Sequence, residues 1–347
     1  MILLVTLSSF MGISGMTRHS LYSGSLALLA ALCLAPVAQA QDSRFIAQAD
    51  PSELRPLAQD TSILNVQAGQ KLMKEASEAS GAKNYALAVK KLQEARQVFN
   101  QLSNFHQDLV GSFSGLDIRI SNAQRTRALQ AAQLRDEATY QLAIAHRANN
   151  QPELAVPLLV QVLRSQSPTR DMGKQAYAQL LEIGFVDLPY PSPKEGEPAP
   201  TVTIGPGAGV LSLAGGDQMM ADAGNAVTAG NYSLAQTKLK EARQAFNQLS
   251  NFYQDLANVF SGIDTPIADS TRQKALKTAQ NRDEATYQLA LVHRAQNQPE
   301  LAVPLLVQIV RSQQPTRDLG RKAYAQLVEL GFADTPYPRT TQSASGR

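Results

Sequence analysis

The sequence has very little cysteine and no tryptophan. Its 347 residues include one Cys and four His, which excludes a disulfide-stabilised scaffold and a cysteine-rich metal site. An excess of one charge is also lacking, because 32 Lys and Arg against 29 Asp and Glu leave a formal net charge of +3. That balance argues against nucleic-acid binding. Hydrophobic residues make up 44% of the chain, which is enough for a buried core and excludes disorder throughout.

A long hydrophobic run is missing as well. Residues 26–34 form an apolar stretch after a short basic start at residues 18–19, whereas a membrane-spanning helix needs about 20 apolar residues. Residues 38–40 read Ala-Gln-Ala, which are the small residues typical of a signal-peptidase site. The sequence therefore predicts a leader over 1–40 that contains a secretory signal peptide, with Met16 as the alternative start codon.

Cleavage of this signal would leave an exported protein without stable membrane insertion. The periplasm of a bacterium and the thylakoid lumen are both compatible with the signal, and so is secretion. The single cysteine, Cys33, lies within the predicted signal. The mature protein is therefore expected to contain none.

The chain contains two copies of one segment. Residues 147 positions apart align without a gap, and 79 of the 123 pairs from Gly69/Gly216 to Pro191/Pro338 are identical. This pattern indicates a tandem duplication in which each copy folds as a unit. The predicted organisation is an unstructured segment over 41–62, a module over 63–191 (copy 1), a linker over 192–209, a second module over 210–338 (copy 2) and a disordered tail over 339–347.

Proline and glycine are concentrated between the two copies. Five prolines lie between residues 189 and 200, and three glycines follow between 205 and 209. This composition is typical of a semi-extended linker. We therefore expect the copies to act as two modules on a flexible tether, which would increase binding to a repeated partner through effective concentration.

Within each copy the apolar residues recur at the period of a helix. The stripe in copy 1 consists of Tyr85, Ala88, Leu92, Ala95, Phe99 and Leu102. Its spacing of three and four residues predicts one long helix. Further helices are predicted over about 123–148, 152–166 and 169–183, and Gly184 is expected to end the last of them in a left-handed conformation. No sustained alternation of period two is present, so the predicted fold class is all-α.

One segment of each copy resembles a known helical repeat. Residues 229–242 read Ala-Gly-Asn-Tyr-x-x-Ala-x-x-x-Leu-x-x-Ala, which is similar to the turn and second helix of a tetratricopeptide repeat (TPR). Copy 1 has the same pattern with Lys83 in place of the turn glycine. The resemblance implies two tandem TPR-like helical modules, joined by the Pro/Gly-rich linker, that hold a partner protein or peptide.

A polar helix face is the candidate binding site. Its residues are spaced so that they share one side of a helix, and asparagine and glutamine are not favoured there by helix propensity. They are Asn100, Asn104, Gln107 and Asp108 in copy 1 and Asn247, Asn251, Gln254 and Asp255 in copy 2. Uncharged amides can bind a peptide backbone or connect helices within the chain, and both interpretations remain open.

No catalytic or metal-binding pattern is found in the sequence. His146 and His293 occupy equivalent positions, but one histidine per copy falls short of a ligand set, so a packed or hydrogen-bonded histidine is expected. The acidic pairs that begin at Asp136 and Asp283 are expected at a helix start or in solvent. Glycines 205, 207 and 209 lack the Gly-Lys-Ser/Thr of a phosphate loop.

These patterns predict an exported, non-enzymatic scaffold for protein–protein interaction, without a cofactor or metal and without a nucleic-acid partner. Such a scaffold would hold a partner protein or assist the assembly of an envelope or lumenal complex. The alternative is a structural envelope component that self-associates. An enzyme is the less favoured third class, because its polar groups would have to converge from several helices.

Overall fold

A computed structural model describes Ser62 and residues 64–193 and 209–337. Within these residues the secondary structure consists of ten helices and no strands. The all-α prediction is therefore confirmed for this part of the chain. The predicted leader (1–40), the 41–62 segment apart from Ser62, linker residues 194–208 and the 339–347 tail lie outside the described residues.

The helices follow the duplication of the sequence. Copy 1 forms α1 (Val66–Gly81), α2 (Tyr85–Phe113), α3 (Ile118–Ala148), α4 (Pro152–Gln166) and α5 (Asp171–Ile183). Copy 2 forms α6 (Leu213–Thr228), α7 (Tyr232–Phe260), α8 (Thr265–Ala295), α9 (Pro299–Gln313) and α10 (Asp318–Glu329). Each helix of copy 2 begins 147 residues after its counterpart in copy 1, so the duplicated residues form duplicated elements.

The TPR-like turn has the same conformation in both copies. Asn84 precedes α2, and its side chain accepts a hydrogen bond from the Leu87 amide at 3.2 Å, which satisfies a free donor of the first helical turn. Lys83 adopts a φ of 59°, and Gly230 adopts 72° at the equivalent position. A lysine therefore takes the left-handed conformation that glycine adopts at lower cost.

The third helix begins earlier than the hydrophobic pattern predicts. Asp117 caps α3, and its Oδ1 accepts a hydrogen bond from the Arg119 amide at 2.8 Å. The helix therefore begins at Ile118 rather than near residue 123. Its first turn carries exposed apolar side chains, so an amphipathic pattern is a poor guide to this boundary, whereas the capping carboxylate determines it.

The predicted apolar stripe packs the first two helices of each copy together. Ala88, Leu92 and Phe99 of α2 are buried in the core of copy 1. Gly69 of α1 lies so close to Phe99 that a Cβ atom at this position would be 2.5 Å from the Phe99 Cε1 atom. Glycine is thus required by the close approach of α1 and α2. Gly216 and Phe246 repeat this contact in copy 2.

The predicted end of α5 is confirmed. Gly184 has a φ of 79° and a ψ of 22°, and the amide of Phe185 donates to the carbonyl of Leu180 at 2.9 Å. This is the pattern of a left-handed helix stop with a hydrophobic residue after it. Phe185 is buried, and the side chain that covers it belongs to copy 2.

The two copies share one hydrophobic core. Phe185 stacks on Tyr253 of α7 with ring centroids 4.7 Å apart. Tyr177 of α5 contacts the edge of Phe260 at 4.8 Å, and a single buried cluster contains residues of both copies. We call this contact the junction. The expectation of two modules on a flexible tether is wrong, because the junction buries aromatic side chains of both copies in one core.

Candidate functional site

The predicted binding face lies on the solvent side of the long second helix in each copy. Asn100, Asn104, Gln107 and Asp108 of α2 are exposed, as are Asn247, Asn251 and Gln254 of α7, whereas Asp255 is half-buried. The helical spacing does bring each set onto one face. In copy 2, Asn247 also lines a shallow cavity of about 310 Å³ with Arg282 of α8 and Gln308 of α9.

Two residues of this face in copy 2 make contacts between helices. Asp255 pairs with Arg164 of α4 across the junction at 3.2 Å. Asn247 accepts a hydrogen bond from Arg282 of α8 at 3.5 Å. The intramolecular interpretation therefore describes part of the copy 2 face. The copy 1 face is exposed, and its role stays a prediction.

A groove in copy 1 is a concave site formed by several helices. It has a volume of about 550 Å³ and is lined by α1, α3, α5 and the start of α2. Tyr85, Tyr140 and Ile144 provide half-buried aromatic and aliphatic surface, and Gln141 and Gln179 provide amides. Apolar walls with a few amides at the edge are typical of ligand sites of this size.

One wall of this groove is held by a polar network. Arg147 of α3 pairs with Glu182 of α5 at 2.9 Å and also donates to the Gln179 side chain. These contacts orient the amide of Gln179 at the groove edge. Burial, and secondarily the charge of Glu182, raises the pKa of Tyr140, so this phenol stays a hydrogen-bond donor at neutral pH.

The equivalent surface of copy 2 carries larger side chains at two positions. Val227 occupies the position of Ser80, and Val292 occupies the position of Ala145. Ser80 and Ala145 both line the copy 1 groove. The duplication therefore preserved the helices but changed part of the groove lining, so the two copies present different surfaces at this place.

The acidic pairs lie neither at a helix start nor in solvent. Asp136 lies in the middle of α3 and is buried. Its Oδ2 accepts hydrogen bonds from Ser165 Oγ and Gln166 Nε2, both at 2.6 Å, and its Oδ1 accepts from Arg135 at 2.9 Å. The expectation for Asp136 is thus wrong, because a carboxylate with this many donors can be buried.

Copy 2 repeats this buried network. Asp283 accepts hydrogen bonds from Ser312 at 2.9 Å and from the side chain of Gln313, and Arg282 pairs with it at 2.9 Å. In both copies the carboxylate ties the middle of one helix to the end of the next. All of its oxygens are engaged within the chain, so the network has a structural role. In the sequence, the glutamate next to each aspartate makes the pair look like two solvent-exposed carboxylates, so the buried network cannot be recognised there.

The two equivalent histidines are packed as expected. His146 and His293 are buried, and the Nδ1 atom of each lies about 3 Å from a glutamine side chain, at 3.1 Å from Gln151 and 3.0 Å from Gln298. Each contact joins the end of a long helix to the residue before the next one. The prediction of a hydrogen-bonded histidine is confirmed at both positions.

The described residues hold no group of three His, Cys, Asp or Glu side chains placed to bind a metal ion. In the same part of the chain, every helix is too short or too polar to cross a membrane.

Comparisons with known proteins identify a helical-repeat neighbour. The crystal structure of the P58(IPK) TPR domain is similar to this chain at 12% sequence identity and a TM-score of 0.17, over 80% of this chain and 71% of the other. No protein family and no curated protein matches the sequence. Because this identity and TM-score are so low, the function has to be argued from the chain's own contacts.

Proposed function

We propose that the protein is an exported, non-enzymatic scaffold that binds a segment of a partner protein in the copy 1 groove. The observation that carries this proposal is the groove itself, about 550 Å³ in volume and built from several helices of one copy. A segment that lays apolar side chains into such a groove is a common mode of peptide recognition.

The chemistry of the groove favours a peptide with both apolar and polar groups. Ile144 and Tyr85 offer apolar contact area, while Gln141 and Gln179 can donate to and accept from a peptide backbone. Charged side chains are absent from the groove lining, so binding is expected to depend weakly on salt. The exposed amides of Asn100, Asn104 and Gln107 are proposed as a second contact for the same partner.

Placing a photo-crosslinking amino acid at position 144 should trap this partner in cell extracts. The matched control is position 129, where Leu129 is exposed on the same helix but away from the groove. A discrete adduct at 144 and none at 129 is the expected result. Equal labelling at both positions would contradict a binding groove.

The trapped partner then permits an affinity measurement. Ile144→Arg should weaken its binding by about tenfold or more, since a long charged side chain fills the groove and removes apolar contact. The matched control is Leu291→Arg in copy 2, which should bind normally. Circular dichroism shows whether both variants stay folded, and unchanged affinity of folded Ile144→Arg rejects the groove as the site.

Export is tested by the N-terminus of the protein isolated from cells. We expect mass spectrometry to find Gln41 as the first residue, because the Ala-Gln-Ala sequence at 38–40 precedes it. Ala38→Arg should block this cleavage and accumulate the precursor, with Gln39→Arg as the tolerated control. Finding the protein in the cytoplasm with residues 16–40 still attached would disprove export.

A further inference from the structure

We propose that copies of this chain assemble head to tail, with the end of copy 2 docking on the free end of α2 and α3 in copy 1 of a second chain. In this assembly the contact between chains repeats the junction within the chain. The proposal uses residues outside the copy 1 groove and does not rest on the partner proposed for it.

The end of copy 2 exposes the side chains that copy 1 buries at the junction. Phe185 is 3% exposed, whereas Phe332 at the equivalent position is 60% exposed. Tyr190 packs on Phe260 at 5.4 Å, whereas its equivalent Tyr337 is exposed. We call this end the tail surface, and it comprises Val307, Arg311, Tyr324, Phe332, Asp334 and Tyr337.

Within the described residues, the complementary end of copy 1 is left exposed in the same way. Ile267 of α8 is 1% exposed at the junction, whereas Ile120 of α3 is 37% exposed. Phe260 is fully buried, and its equivalent Phe113 is half-buried. We call this end the head surface, and it comprises His106, Asp108, Leu109, Phe113, Ile120 and Arg127.

The first ion pair of the junction has its partners on these two surfaces. Arg164 and Asp255 pair at 3.2 Å across the junction. The residues at the equivalent positions are Arg311 on the tail surface and Asp108 on the head surface. The charges of both residues are retained in the duplication, so the same pair can form between two chains.

The second ion pair is retained as well. Lys274 and Asp187 pair at 2.7 Å across the junction. Arg127 of the head surface occupies the position equivalent to Lys274, and Asp334 of the tail surface occupies the position equivalent to Asp187. The two ion pairs run in opposite directions: Arg311 is the positive partner on the tail surface, and Arg127 is the positive partner on the head surface. Together they fix both the register and the direction of docking.

Two pairs of exposed leucines away from the junction do not show this difference. Leu129 is 58% exposed and its equivalent Leu276 is 56% exposed. Leu154 and Leu301 are likewise exposed to nearly the same extent in both copies. These two pairs therefore lack the large difference in exposure that separates Phe185 from Phe332 and Ile267 from Ile120.

Several substitutions make the free ends more polar than the junction. His106 stands in place of Tyr253, and Thr335 stands in place of Leu188. Fewer apolar atoms are buried in such a contact, so it is weaker than the junction. We therefore expect a reversible association that grows with protein concentration. Because head and tail are different surfaces, every added chain leaves one of each free, and the assembly is open-ended.

Analytical ultracentrifugation of the chain from Gln41 to Arg347 tests this proposal. The sedimentation coefficient should rise with concentration through dimers to larger species. Phe332→Asp on the tail and Ile120→Asp on the head should each weaken association about thirtyfold or more, as loss of a central interface residue does. Leu301→Asp and Leu129→Asp are the matched controls and should assemble like the wild type.

Mixing the two blocked variants gives the sharpest result. Phe332→Asp keeps a free head and Ile120→Asp keeps a free tail, so each alone is a monomer and the equimolar mixture forms a one-to-one complex that grows no further. A mixture that stays monomeric overturns the proposal, and so does a wild-type chain that stays monomeric at every concentration. A closed symmetric dimer that both variants leave intact also overturns it. Neither substitution is expected to change crosslinking at position 144. A failure of the head-to-tail assembly therefore leaves the proposed groove untouched, and a failure of the groove leaves the assembly untouched.

Discussion

Phe260→Ala is expected to destabilise the protein by about 3–5 kcal/mol, because a fully buried phenylalanine is replaced by a cavity that the core fills only partly. Phe260 contacts Tyr177 and Tyr190 of copy 1 with ring centroids 4.8 and 5.4 Å away. The loss therefore falls on the junction as well as on copy 2. Urea unfolding followed by circular dichroism measures it in dilute, monomeric protein.

The duplication supplies the matched control for this substitution. Phe113→Ala removes the same side chain from the equivalent position of copy 1, where no second copy covers it within the described chain. Its expected cost is about 1 kcal/mol, since a half-buried phenylalanine gains less from burial. If the two variants lose the same free energy of unfolding, the contacts of Phe260 with copy 1 contribute nothing to stability.

Asp136→Ala is expected to destabilise the protein by about 3 kcal/mol, because it removes a buried carboxylate that accepts charged and neutral hydrogen bonds from two helices. Gln166 Nε2 and Ser165 Oγ both donate to this carboxylate at 2.6 Å, and Arg135 pairs with it at 2.9 Å. Asp283→Ala should have a similar effect, since copy 2 repeats the network. Thermal and urea unfolding of both variants measure it.

The adjacent glutamate distinguishes this network from a general effect of lost charge. Glu137 is half-buried and accepts one hydrogen bond, from Gln141 at 3.4 Å. Glu137→Ala should therefore change the free energy of unfolding by less than about 0.5 kcal/mol. If Asp136→Ala is as mild as Glu137→Ala, the buried network is not a stabilising element. Asp136→Asn should be intermediate, because its amide keeps one acceptor oxygen.

Most of the secondary structure was predictable because its signals are local. The period of the stripe from Tyr85 to Leu102 predicted a long helix, and Gly184 predicted the end of α5. The start of α3 was missed because the first residues of this helix are exposed, and Asp117 as a cap carried the signal instead.

The candidate site was harder to predict, because it depends on which helices become neighbours. The copy 1 groove joins residues of α1 and α5 that are about one hundred positions apart, such as Ser77 and Gln179. Their spacing has no periodicity to detect. The burial of Asp136 likewise depends on Ser165 and Gln166, and an acidic pair in a helix has the same appearance in the sequence whether it is buried or solvated.

The sequence by itself determined that the described chain is two copies of one all-α design, since the helical period, the caps and the 147-residue repeat are properties of neighbouring residues or of direct alignment. Only the tertiary structure decided that the copies share a core. Phe185 and Phe332 are the same residue in the same local motif, yet one is buried and the other is exposed. The difference comes from Tyr253, which covers Phe185, because burial depends on what lies beside a side chain in space and not on the residues next to it in the chain.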